Sequence, residues 1–566
     1  MDKLVESTVI CSNESQRSGM KNSLQLWIHK YNTILIVAIV IMLQMFVAAL
    51  YMNNKQGMFI DEFYCYAGAH NALLYSQGEP EFRVSTDENW YNTWNSKEDF
   101  LRYFEVRGDE SILRHSPAEL KSKLKTNVLY YILLNVVESL QPDPAQTKWS
   151  GFILNSFFFV IHQIVFFLIG KEIFCDKRKA MVPMIIYGFS AGGITLYTYI
   201  RFYLMKSLLC LLIAYFHIKL FKWRNIRGII TAFTVSGVAV LLIWSVQPYI
   251  VLYAASAVFV FIIICLANRD YKFVLKYLGI GCAGAVAVVL FMPQTMSLLM
   301  HYASTDIGME TINNFLRRPR EEYWSYFVYY FMKTLSHVAE GVYNVAAILI
   351  ILAIVGYVQK RRGKIQWRKV EYLTPKAFYM VGVSVCYFLL NCRIQYSQSY
   401  RYMSCSYAGF CVGMAVLLVL VLDLCQVQRR GAVICAVVVS GLFFTCSRSY
   451  VDEMFPEAYE TREQLAQHPE AANVYVIPAE FRRDFYMDTY CMNPGSKIYM
   501  LSVWQTDTVD YAFLEEANGA GLFLWLPSYA DDYFTKKQIE QFILHSDYKN
   551  CKPAFETFQS DVYYLY

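Results

Sequence analysis

Long runs without charge dominate this chain. Thr33–Met52, Ser156–Gly170, Gly228–Trp244 and Val345–Val358 contain no Asp, Glu, Lys or Arg. A helix needs roughly 20 apolar residues to cross a ~30 Å hydrocarbon core. The shorter runs reach that length once flanking Tyr, Trp and Phe are counted as interfacial residues. Inside lipid, each backbone N–H and C=O must be satisfied within the structure, and a helix does this segment by segment. Composition agrees: only 17% of residues are charged, against about 25% in average soluble chains.

Spans are expected near 33–52, 150–170, 181–198, 202–220, 228–246, 249–267, 275–292, 342–358, 377–392, 404–424 and 431–447. With that list, the basic loops fall on one side. They hold Lys171 and Lys177–Lys179, then Lys222, Arg224 and Arg227, Lys272 and Lys276, Lys360–Lys369, and Arg429–Arg430. The positive-inside rule makes that side the cytoplasm. The fold class predicted is a polytopic α-helical membrane protein of about 11 transmembrane helices, multi-pass in the plasma membrane. Residues 1–32 form a cytoplasmic segment, which does not read as a cleavable signal. Residues 33–447 form the membrane domain. Two outside loops, 53–149 and 293–341, interrupt it, and 448–566 is extracytoplasmic.

The first loop is far longer than an ordinary connection. Its amphipathic stretches, Glu98–Arg107 and Ala118–Val137, suggest helices lying on the membrane surface. In the tail, 473–477, 497–501, 521–526 and 562–565 read as strands, and 461–467 and 536–545 as helices. That alternation predicts a small C-terminal α/β domain.

The formal charge of +5 gives no reason to propose nucleic acid as a partner. Most cysteines sit in apolar runs, where they act as small hydrophobes, and no Cys/His spacing indicates a metal site. Cys491 and Cys551 in the tail are the pair that an oxidising compartment would permit to join.

The most informative polar feature is Asp61-Glu62, within Met58-Phe59-Ile60-Asp61-Glu62-Phe63-Tyr64. Adjacent carboxylates in apolar surroundings experience unequal environments, and one can serve as a base. Taken alone, the pair also fits a solvated turn or the acidic start of a helix. Two further stretches share its expected side. Tyr199-Ile200-Arg201-Phe202-Tyr203-Leu204-Met205 opens one span, and Tyr400-Arg401-Tyr402-Met403 leads into a late one.

In order and membrane side, these three motifs resemble those of the type-C glycosyltransferases, over roughly residues 30–450. The likeness is to bacterial relatives of protein O-mannosyltransferases and lipid A aminoarabinose transferases. It implies an integral membrane enzyme that transfers a sugar from a polyprenyl-phosphate donor to an acceptor hydroxyl at the outer face. The catalytic residues would be Asp61 and Glu62, with Asp61 as base. Arg201, Arg401, Tyr203 and Tyr402 would bind the donor phosphate. Each arginine taken alone also fits a side chain snorkelling to the interface. One-step displacement would invert the anomeric centre. No cofactor is implied with certainty, and a divalent metal stays open. Membrane lipids are partners, and the acceptor is an unidentified glycan, lipid or protein.

Asp87 and Glu88, beside Trp90 and Tyr91, are a possible sugar or acceptor loop. The family's His-Pro-Pro-Leu-Tyr-Tyr stretch is replaced by Thr126-Asn127-Val128-Leu129-Tyr130-Tyr131, which keeps an inactive relative in a cell-envelope complex as an alternative. A lipid-linked glycan transporter or flippase is another. Transporters place ionisable groups near the midplane, whereas here Lys206 is the main charged exception within a span.

Overall fold

The computed structural model describes residues 32–72, 91–106, 110–117, 119–120, 128–141, 147–174, 176–243, 247–291, 304–361, 373–395, 397–424, 450–477, 485–503, 509–517, 521–557 and 559–566. Among these, six helices are long and apolar enough to cross a membrane: Asn32–Asn54, Lys148–Phe174, Tyr203–Trp223, Tyr249–Ala267, Pro375–Ile394 and Tyr400–Asp423. Two bent pairs raise the number to eight if each is one span. The chain is a multi-pass membrane protein. The expected span 228–246 is a shorter helix, Ile226–Leu241. The one near 275–292 overlaps helix Tyr271–Phe291, and 431–447 lies outside the described residues.

The expected continuous span 181–198 is broken. Met181–Phe189 and Ala191–Thr198 meet at 64°. Ser190 caps the second helix by accepting the Gly193 N–H at 3.1 Å. A side chain at Gly193 would stand 1.9 Å from the Tyr187 carbonyl oxygen, so the bend requires glycine there. Between Pro375–Ile394 and Ser404–Leu424, Gly409 allows close approach: a Cβ there would meet Ser384 Oγ at 2.0 Å. Small residues let membrane helices pack backbone against backbone.

The sheet has order β1-β3-β2-β4-β6-β5, with β1 Trp94–Ser96, β2 Ala472–Ile477, β3 Lys497–Ser502, β4 Leu522–Pro527, β5 Cys551–Glu556 and β6 Ser560–Leu565. Strands β3, β2 and β4 are parallel, and the rest pair antiparallel. The first loop thus supplies an edge strand to the sheet of the tail. Lys97 adds a bond to Tyr490 O at 3.2 Å, and Glu98 accepts the Gly495 N–H at 3.0 Å. Cys491 and Cys551 are both free, on helix Phe485–Cys491 and strand β5.

The stretch expected as a surface helix at Glu98–Arg107 is a short helix, Lys97–Leu101, followed by a 3-10 turn, Arg102–Phe104. Phe100 and Phe104 are buried, and the Phe104 ring packs on Phe63 at 5.0 Å and Tyr486 at 4.8 Å. Helix Leu129–Ser139 likewise buries Tyr130, Tyr131 and Leu134. Protein surface was available to cover these faces.

Candidate active site

Helix Ile60–His70 follows the first span after a short connection. Asp61 and Glu62 occupy its first turn, where acids suit the helix dipole. Their side chains then diverge. Glu62 is fully buried and accepts three hydrogen bonds: from Lys55 Nζ at 2.5 Å, Phe59 N–H at 2.7 Å and Ile200 N–H at 2.8 Å. Asp61 stays partly open, with a side-chain exposure of 19%.

Arg201 arrives on the linker after the broken helix pair. The backbone there is held from three sides. Asn155 Nδ2 donates to Tyr197 O at 3.0 Å and Tyr199 O at 2.9 Å. Lys55 Nζ donates to Thr198 O at 3.2 Å, and Glu62 holds the Ile200 N–H. The Arg201 guanidinium pairs with Asp61 Oδ1 and lies over the rings of Phe202 at 5.0 Å and Tyr203 at 5.8 Å. Its Nε is buried without a hydrogen-bond partner.

Arg401 comes from the 3-10 turn Tyr400–Met403. Tyr387 Oη and Asn391 Nδ2 both donate to Tyr402 O, at 2.7 and 2.9 Å, and fix that turn. Arg401 pairs with Asp61 Oδ2, donates to Tyr199 Oη, and bonds Ser399 Oγ at 2.9 Å through Nε. Tyr199 Oη donates to Asp61 Oδ2 at 3.2 Å. The Phe59 ring lies 4.8 Å from the Arg401 guanidinium. Burial pushes the Asp61 carboxyl up, but Arg201 and Arg401 outweigh it and hold it below the usual carboxylate range.

One carboxylate is therefore clasped by two guanidiniums from separate parts of the chain, where several membrane helices begin or end. The structure brings together Asp61, Arg201 and Arg401 and places Tyr203 at their edge. The Tyr402 ring instead packs on Tyr249 at 5.1 Å. Asp87 and Glu88 lie outside the described residues. Among the described residues, no group of three His, Cys, Asp or Glu could hold a metal ion.

The chain's structure is similar to that of ArnT from Cupriavidus metallidurans. The crystal structure bound to undecaprenyl phosphate is 10% identical, covers 94% of this chain and 98% of that one, and has a TM-score of 0.48. The apo structure is 10% identical, covers 95% and 98%, and has a TM-score of 0.47. No family model matches the chain, and no curated protein does.

Three neighbours of the site did not stand out in the sequence. Lys55 precedes Glu62 by seven residues, a charge close to the acidic pair in the sequence. Tyr199 opens the Arg201 motif. Glu453 gave no local signal. It accepts from Tyr400 Oη at 3.0 Å, and burial, chiefly, pushes its carboxyl up to about 7.

Proposed function

We propose that this chain is a membrane glycosyltransferase. It moves a sugar from a polyprenyl-phosphate donor to an acceptor hydroxyl at the outer face of the cytoplasmic membrane, with inversion. The observation that carries this reading is Asp61 between Arg201 and Arg401. Two guanidiniums around one carboxylate leave a positive surplus, which suits a phosphate at the membrane surface. Asp61 itself suits a proton acceptor. The six long helices and two bent pairs come to ten with Ile226–Leu241 and Tyr271–Phe291, and the apolar run 431–447, outside the described residues, is the eleventh expected from the sequence. The one-sided basic loops put the N-terminus inside and the site outside.

In the reaction, the acceptor oxygen attacks the anomeric carbon and its proton passes to Asp61. The bond from that carbon to the phosphate oxygen breaks, and its electron pair leaves with the phosphate. Both arginines pair with Asp61 and keep it a weak base. An incoming phosphate takes over those donors, so the carboxylate becomes more basic when the donor is in place. Glu62, saturated by three donors, is a positioning residue in this scheme.

The test separates binding from chemistry. Asp61→Asn should lower single-turnover transfer by about 10²–10⁴-fold, with donor affinity unchanged or higher because a competitor for the arginines is gone. Arg201→Ala and Arg401→Ala should each weaken donor binding about 10- to 150-fold. Wild-type transfer by the Asp61→Asn protein, or unchanged donor affinity in both arginine variants, would refute the assignment.

A further inference from the structure

One turn into helix Tyr203–Trp223 lies a cation that this scheme leaves unused. Lys206 is fully buried. Its Nζ donates to Gln247 Oε1 at 3.2 Å and sits 4.7 Å from the centroid of the Tyr203 ring. Among the described residues it has no carboxylate partner, in contrast to Lys55, Lys219 and Lys333. Gln247 also reaches Tyr203 Oη, at 3.5 Å. The same Tyr203 ring carries the Arg201 guanidinium at 5.8 Å and stacks on Tyr199 at 5.8 Å. Lys206 is therefore one aromatic ring away from the arginine pair, within electrostatic reach of both arginines. A buried ammonium without a carboxylate partner is costly, and inside a membrane bundle such a group marks a functional site.

The charge count gives the role. Arg201 and Arg401 pair with one carboxylate, Asp61; Lys206 is a third cation one ring away, and Glu453, beside Arg401, is pushed up to about 7, chiefly by burial. Lys55 and Glu62 cancel each other. A surplus of more than one positive charge exceeds what a phosphodiester, with a single negative charge, requires. It matches a phosphate monoester, which carries about −1.5 to −2 near neutrality.

We propose that Lys206 is a third cation of the phosphate site, directed at the charge that appears on the phosphate as the sugar leaves. This rests on the transferase reading. When the bond from the anomeric carbon to oxygen breaks, its electron pair converts the lipid phosphodiester into a monoester with a second negative charge. The acceptor's proton goes to Asp61, so charge and atoms balance. Interaction with Lys206 strengthens along this step, which is how binding lowers a barrier rather than only holding substrate. Tyr203 and Gln247 position the ammonium.

The experiment uses the full-length protein in detergent and two probes, undecaprenyl phosphate and its methyl diester. Lys206→Met should weaken binding of the monoester by about 10- to 100-fold and of the diester by less than about 3-fold. Single-turnover transfer should fall with little change in donor KM. The thermal midpoint of the variant should equal or exceed that of the wild type, since an apolar side chain replaces a buried charge. Equal losses for the two probes, or a lower midpoint with no change in probe preference, would overturn the proposal and leave the transferase reading standing. A wild-type protein that bound neither lipid would overturn both. Inorganic phosphate at the same concentration should displace neither probe; displacement would assign the site to free phosphate and refute the lipid role.

Discussion

Glu62 offers the sharpest test of how the site is built, because sequence places it beside Asp61 and structure gives it different work. Its carboxylate is 0% exposed and its partner Lys55 is 1% exposed, with 2.5 Å between them. Glu62→Gln keeps the shape but removes the charge, and leaves the Lys55 ammonium buried without a counter-ion. Breaking a buried pair from one side costs about 3–5 kcal/mol. The amide oxygen can still accept from Ile200 or Phe59, but the amide nitrogen then faces a donor, a further cost of about 1–3 kcal/mol. Adding Lys55→Met removes the stranded ammonium and should restore about 3 kcal/mol or more of the loss. The assay is thermal unfolding in detergent together with single-turnover transfer. The expected order of stability is wild type, then the double variant, then Glu62→Gln. Transfer should recover in the double variant along with stability. If the double variant were as stable as the wild type yet inactive, Glu62 would be a catalytic residue and the positioning argument would be wrong. If Glu62→Gln were as stable as the wild type, the buried pair would contribute nothing.

Glu453 predicts a pH dependence. Its folded carboxyl is pushed up to about 7, first by burial, so the neutral form favours folding. That contribution is complete below the unfolded value of about 4.3 and is lost as pH rises to the folded one. Glu453→Gln should therefore flatten the decline in unfolding midpoint between about pH 4.3 and 7; a variant with the wild-type slope would refute this. Trp94→Ala should detach the first loop from the tail sheet, since Trp94 packs on Tyr499 at 5.2 Å and Phe513 at 6.2 Å. A cost of about 2 kcal/mol is expected for this half-buried ring, read as faster limited proteolysis around residue 94, and wild-type proteolysis would contradict it.

The long apolar helices were legible because lipid imposes one rule on each segment by itself. The tail strands β2, β3, β4 and β6 stand where short apolar runs predict them, and β2 is buried along its whole length. Strand β1 did not show, because three residues form a strand only where the edge of β3 waits for them. Strand β5, with Pro553 and an exposed face, is an edge strand defined by its partner. The break at Ser190 depends on contacts that a hydropathy run does not record.

The candidate site divides in the same way. From the sequence, Arg201 and Arg401 are expected at span ends and Asp61 just beyond the first span, all on one side, because apolar length sets the extent of each span and basic loops set its orientation. The sequence implies unequal environments for Asp61 and Glu62, but not the partners that make them unequal. Only the tertiary structure separated them, sending one carboxylate under Lys55 and leaving the other between two arginines. Burial and counter-ions decide what a carboxylate can do, and the counter-ions come from residues between 7 and 340 positions away.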